Sequence, residues 1–139
     1  MDEITIKTNA NYLFMTMLPL LKIETIVEDT EGKITIKAFD EMCKKRLAEG
    51  NKKRFSRGEC GLMLSRVEVL MRETTSAYKL KEILTDLMEE VETDGDYLLT
   101  STRCKDLYEL FEMASTYSKF KCWFDLDYQQ VGFIFYNSL

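Results

Sequence analysis

Seven basic residues fall between positions 44 and 57: Lys44, Lys45, Arg46, Lys52, Lys53, Arg54 and Arg57, against Glu49 alone. Like charges so close repel one another, so the segment needs anions or acidic neighbours to offset it. Phosphate backbones are the commonest biological anion that would use it. Residues 33–72 hold 11 of the 19 Lys and Arg but only 5 of the 24 Asp and Glu, in a chain of net charge −5. Phe55 sits inside the segment and Phe39 just before it. Single strands are bound by a positive groove with aromatic faces for the bases, although either phenylalanine taken singly suits a core. The competing expectation is a solvated segment neutralised by the chain's own acidic helices.

Other chemistries are narrowed by composition. The chain has no histidine, which removes the Ser-His and Cys-His nucleophile systems and the commonest general base. Cys43, Cys60, Cys104 and Cys122 include no CxxC pair, so they are expected as reduced, mostly buried residues rather than zinc ligands or a disulfide framework. The six glycines form no phosphate-binding loop of the GxxxxGK[ST] type. Two D-x-D spacings remain, Asp94/Asp96 and Asp125/Asp127. The second would place two carboxylates on one strand face near Lys121, as a Mg²⁺-dependent nuclease would use them; a polar outer face is the plainer expectation. No metal, no other cofactor and no enzymatic activity is expected.

These residues must be positioned by an α+β framework. Ile4 and Ile6 alternate with Thr5 and Lys7 at strand period, while Tyr12–Leu21 has no single period and contains Pro19. Ile23, Thr25 and Val27, then Ile34, Ile36 and Ala38 across Asp29–Gly32, predict a β-hairpin. Asp40–Asn51 fits a short helix or an extended loop ending at Gly50-Asn51. Cys60, Leu64, Val67 and Met71 predict a helix over 57–72, and Leu80, Ile83, Leu84, Leu87, Met88 and Val91 a second over about 76–92. After the turn Thr93–Asp96, Tyr97–Thr100 reads as a short strand, and a third helix starts at Ser101 or Thr102 with Leu107, Leu110, Phe111 and Ala114 inward. Cys122, Phe124 and Leu126, then Val131, Phe133 and Phe135, predict a C-terminal hairpin. The expectation is a single domain over 1–139, an antiparallel sheet packed with about three helices.

The run from Gly32 through KITIKAF, a basic connection, and KKRFSRGECGLMLSRVEVLM resembles the sheet-then-helix unit of the PC4/whirly-like single-stranded DNA-binding proteins, including bacteriophage members. The resemblance covers residues 22–72 and implies a curved sheet that carries DNA, with Lys33, Lys37, Lys52, Lys53 and Arg54 on or beside its strands. The expected function is non-catalytic binding of nucleic acid, single-stranded DNA above all, by Lys33, Lys37, Lys44, Lys45, Arg46, Lys52, Lys53, Arg54, Phe55 and Arg57. The alternative is a small protein-interaction module, such as a phage or mobile-element inhibitor of a host complex. Trp123 with Tyr128 and Tyr136 would anchor a protein partner if their face were exposed. The start MDEITIK is acidic, and no apolar run approaches a membrane span; a cytoplasmic protein without membrane contact is expected, and a homo-oligomer is compatible with the sequence.

Overall fold

Ile4, Ile6 and Thr8 turn inward and Glu3, Thr5 and Lys7 outward along the first strand, β1 (Glu3–Asn9), as period-two alternation requires. The computed structural model describes residues 3–22, 30–51, 54–72, 79–87, 89 and 97–137. Asn9 ends β1 and caps the helix that follows, its side chain accepting from the Tyr12 amide at 3.0 Å. That helix, α1 (Ala10–Met17), buries Ala10, Leu13, Phe14, Thr16 and Met17. It tightens into a 3-10 turn over Leu18–Lys22, where Pro19 is tolerated in the first turn.

The next helix corrects the sequence reading. Ile34, Ile36 and Ala38 lie not on a hairpin strand but in α2 (Thr30–Ala48), and the expected partner strand over 23–27 lies outside the described residues. The period-two pattern of Ile34, Ile36 and Ala38 is short, whereas Gly32, Phe39, Met42, Cys43 and Arg46 keep helical spacing and are buried. Glu31 lies in the first turn, where it suits the helix dipole. The far end closes as a Schellman motif: Asn51 N donates to Arg46 O at 2.8 Å and Gly50 N to Leu47 O at 3.2 Å. Gly50 supplies the φ of 88° this needs.

Helix α3 (Arg57–Arg72) follows the expected span. Its start is a capping box, with Glu59 N donating to Ser56 Oγ at 3.2 Å and Ser56 N to Glu59 Oε1 at 3.0 Å. Of the helix expected over 76–92, residues 79–87 are described, as α4. The Thr93–Asp96 turn lies outside the described residues. Tyr97–Thr100 is no strand; it is the first turn of α5 (Tyr97–Thr116), which thus begins before Ser101. An ion pair between Lys81 and Glu112 links α4 to α5.

The C-terminal hairpin forms as expected, from β2 (Lys119–Asp125) and β3 (Gln130–Tyr136). The sheet is antiparallel throughout, in the order β1-β3-β2, so the last strand is central. Val131, Phe133 and Phe135, fully buried, join Phe14, Phe39, Met63, Leu70 and Phe111 in one core, with Ile4, Ile6, Phe120, Cys122 and Phe124 packed against it. The fold is α+β, with α1 and α3 meeting the sheet, α5 packed on α1 and α2 on α3. No described helix is long and apolar enough to cross a membrane.

Candidate nucleic-acid interface

The structure divides the basic segment between two tasks. Lys33, Lys37 and Lys44 are exposed on α2 at spacings of four and seven residues, which places them on one helix face. Lys45 is exposed beside them, and Arg57 is exposed at the first position of α3. Lys33, Lys37, Lys44 and Lys45 make no ion pair in the described structure. These lysines stand on a helix, not on the strands that the whirly-like resemblance implies. Lys52 and Lys53 lie outside the described residues.

Arg46, Arg54 and Phe55 serve the interior instead. Arg46 is 4% exposed. Its guanidinium lies 3.7 Å from the Phe55 ring centroid and 5.5 Å from that of Phe14. It donates through Nε to Asn51 Oδ1 and through Nη1 to Glu59 Oε2, both at 3.0 Å. Burial alone would raise the Glu59 carboxyl, but the Ser56 amide and Arg46 outweigh it and hold Glu59 below the ordinary carboxylate value. Phe55 is buried, and its backbone is clasped by Gln129: the Phe55 amide donates to Oε1 at 2.7 Å, and Nε2 donates to the Phe55 carbonyl at 3.1 Å. Arg54, although exposed, donates through Nη2 to the Leu126 and Asp127 carbonyls at 2.9 Å each. Residues 54–55 therefore fasten the segment to the β2–β3 turn, and neither arginine is a free phosphate contact.

A groove of about 540 Å³ between α2 and α3 brings Lys45 beside Glu41, Glu49 and Glu59. Its mixed charge gives it no preference for anions. Deeper between the same helices, Arg66 is 5% exposed, 5.5 Å from the Phe39 ring, and its Nε and Nη1 have no hydrogen-bond partner. Burial lowers its pKa and raises that of Asp40, while each charge opposes the shift of the other.

Asp125 does not share a strand face with Asp127. Its Oδ1 accepts from the Asp127 and Tyr128 amides at 3.1 and 3.2 Å, so it closes the turn in which Asp127 lies. Asp94 and Asp96 lie outside the described residues. Burial, first of all, pushes the Cys43 and Cys122 thiols up to about 12, and Glu68, accepting from Cys122 Sγ at 3.2 Å, adds to the second. Both are protonated at neutral pH. Cys43, Cys60 and Cys122 are free.

One surface is richer than the basic run suggested. The outward residues of β2 are Lys119, Lys121, Trp123 and Asp125; those of β3 are Gln130, Gly132, Ile134 and Tyr136. Trp123 is 39% exposed and Tyr128, in the turn, 75%. The β2 alternation Lys119-Lys121-Trp123 was the available signal, overshadowed by the denser basic run. The chain matches no protein-family model, no curated protein and no solved structure.

Proposed function

We propose that this chain is a non-catalytic nucleic-acid-binding protein that takes single strands, gripping phosphates through α2. The observation that carries this is the set of exposed lysines Lys33, Lys37, Lys44 and Lys45, left without ion pairs on a chain of net charge −5. Charges kept close together without carboxylate partners cost stability unless an external anion offsets them. Carboxylates are near two of them, Asp40 by Lys44 and Glu41, Glu49 and Glu59 in the groove with Lys45, but none closes to an ion pair with these lysines within the described structure.

The test is a salt series with labelled single- and double-stranded DNA and RNA, followed by fluorescence anisotropy. The expected result is single-strand binding whose logarithm falls linearly with log salt, by about 0.7 per phosphate contacted. The variant K33A/K37A/K44A/K45A should bind at least about tenfold more weakly and show a shallower slope. Absence of binding at low salt overturns the reading.

A second reading, a protein-docking module, is favoured by Ile34, 65% exposed among the lysines of α2. A stoichiometric protein partner that survives nuclease treatment, and is lost on Ile34→Asp, would establish it.

A further inference from the structure

The register of the sheet sets Trp123 opposite Gly132. A Cβ built on Gly132 would fall inside the indole, against Cε2 and Cζ2. The indole thus lies flat over a position that only glycine leaves open. The ring packs on β3 at that position, and Trp123 as a whole remains 39% exposed. Two and four residues beyond Gly132 on the same outward face come Ile134 and Tyr136, both half-exposed. At about 3.4 Å per residue, Tyr136 stands roughly 14 Å along the strand from Gly132. Lys121 pairs with Ile134 and Lys119 with Tyr136 on one side, and Lys7 pairs with Gly132 on the other. The ammonium of Lys121 lies 5.9 Å from the Tyr136 ring centroid. Past Tyr136 the face runs into a groove of about 580 Å³, where Arg72 joins Lys119 beside Tyr117 and Phe120. The acidic residues nearby are fewer than the cations: Glu3 pairs with Tyr136 from β1, Glu68 lines the groove beside Arg72, and Asp125 is engaged by turn amides.

We infer that this outer sheet face is a base-stacking platform for a single-stranded nucleic acid, with Trp123 and Tyr136 receiving bases and Lys119 and Lys121 receiving phosphates. The inference rests on the nucleic-acid reading above and adds a surface that the basic segment does not include. Aromatic faces interleaved with cations favour this occupant, because every base has a π-face and every nucleotide a negative charge. A strand laid along β3 meets the indole, then the phenol, with lysines beside it on β2. Duplex DNA offers its bases only at groove edges, so the flat face discriminates against it.

Trp123 is the only tryptophan, so its emission reports on this face alone. The whole chain is titrated at low salt with oligo(dT) and, separately, with heparin, a polyanion without bases. Oligo(dT) is expected to quench Trp123 in parallel with the anisotropy change, and heparin to leave the emission nearly unchanged. Trp123→Ala should weaken oligo(dT) binding by roughly tenfold. Gly132→Ala lifts the indole without removing it and should weaken binding as well, while K119A/K121A keeps both rings and should bind less at low salt, with a shallower salt dependence. Oligonucleotide binding with unchanged Trp123 emission, and wild-type affinity in Trp123→Ala, overturns the platform and leaves the α2 reading standing. No binding of any oligonucleotide overturns both. A protein partner lost on Trp123→Ala, without oligo(dT) quenching, overturns the platform in favour of protein docking.

Discussion

The guanidinium of Arg46 is held by a carboxylate, an amide and two aromatic rings, and every one of these partners loses something when it is removed. Glu59 would keep a largely buried charge, 28% exposed, without its counter-ion. Arg46→Ala is therefore expected to cost about 3 kcal/mol of stability, toward the low end for a broken buried pair, measured by urea denaturation at neutral pH. The pH dependence follows from the direction of the Glu59 shift. A carboxyl held below its ordinary value stabilises the fold above that value, and the contribution is lost as pH falls through the lowered pKa. Asp40 and Asp106 are shifted upward, by burial first, so each favours the folded state as pH falls. The acid-labile part of this comparison thus belongs to Glu59. Glu59→Gln should lower stability at pH 7 and converge on the parent in strong acid. A constant difference across that range would show that the Arg46–Glu59 charge pair is not its source.

At the scale of elements, the β2–β3 turn depends on one residue in a strained conformation. Gln129 has φ 54°, and its side chain donates to Leu126 O at 2.8 Å while clasping the Phe55 backbone. Its own carbonyl accepts from Ala10 N at 2.7 Å, which ties the turn to the start of α1. Gln129→Ala keeps the strain and leaves the Phe55 amide and carbonyl unpaired, an expected loss of about 2–3 kcal/mol. Gln129→Gly relieves the positive φ and should be more stable than the alanine variant by about 1 kcal/mol; equal stability of the two would remove strain from the account. Neither the clasp nor the buried Arg46 was legible in the sequence, because both join segments far apart in the chain. The final hairpin and α3 were legible, since alternation in one and a single apolar face in the other run their full lengths. In α2 a β-branched stretch, Ile34-Thr35-Ile36, imitates a strand, and Asp29–Gly32 imitates a turn. Packing decided otherwise: buried Gly32 and partly buried Ile36 fall on one face with Phe39 and Cys43 when the helix runs through that stretch. Of the candidate site, the basic residues were named in the sequence, but Lys33 and Lys37 were expected on a strand, and their shared face with Lys44 follows only from the helix. Which basic residues face inward could not be read there, because burial of a guanidinium depends on the aromatic and acidic partners that folding brings to it.

For the whole molecule, the topology joins the two ends of the described chain. Glu3–Asn9 pairs residue for residue with Gln130–Tyr136, and β3 is central only because β1 lies on its far side. Ile4 and Ile6 pack against the core that Phe133 and Phe135 build. The contact spans nearly the full sequence, so its loop-closure entropy is offset only when the intervening helices are already folded onto the sheet. Deleting residues 1–9 would strip one edge of β3, uncover its hydrogen-bonding groups and remove the cap of α1 at Asn9. The expected outcome is loss of a cooperative thermal transition in far-ultraviolet circular dichroism, with self-association through the bared β3 edge seen by sedimentation. Much of the helical signal should persist, because α2 and α3 carry their own termini, the Schellman closure at Gly50 and the Ser56–Glu59 box. A shortened chain that stays monomeric and melts cooperatively at the parent midpoint would show that β1 is an accessory strand. In that case the outer face of β2 and β3 would stand without it, and Lys7 would have no part in whatever that face binds.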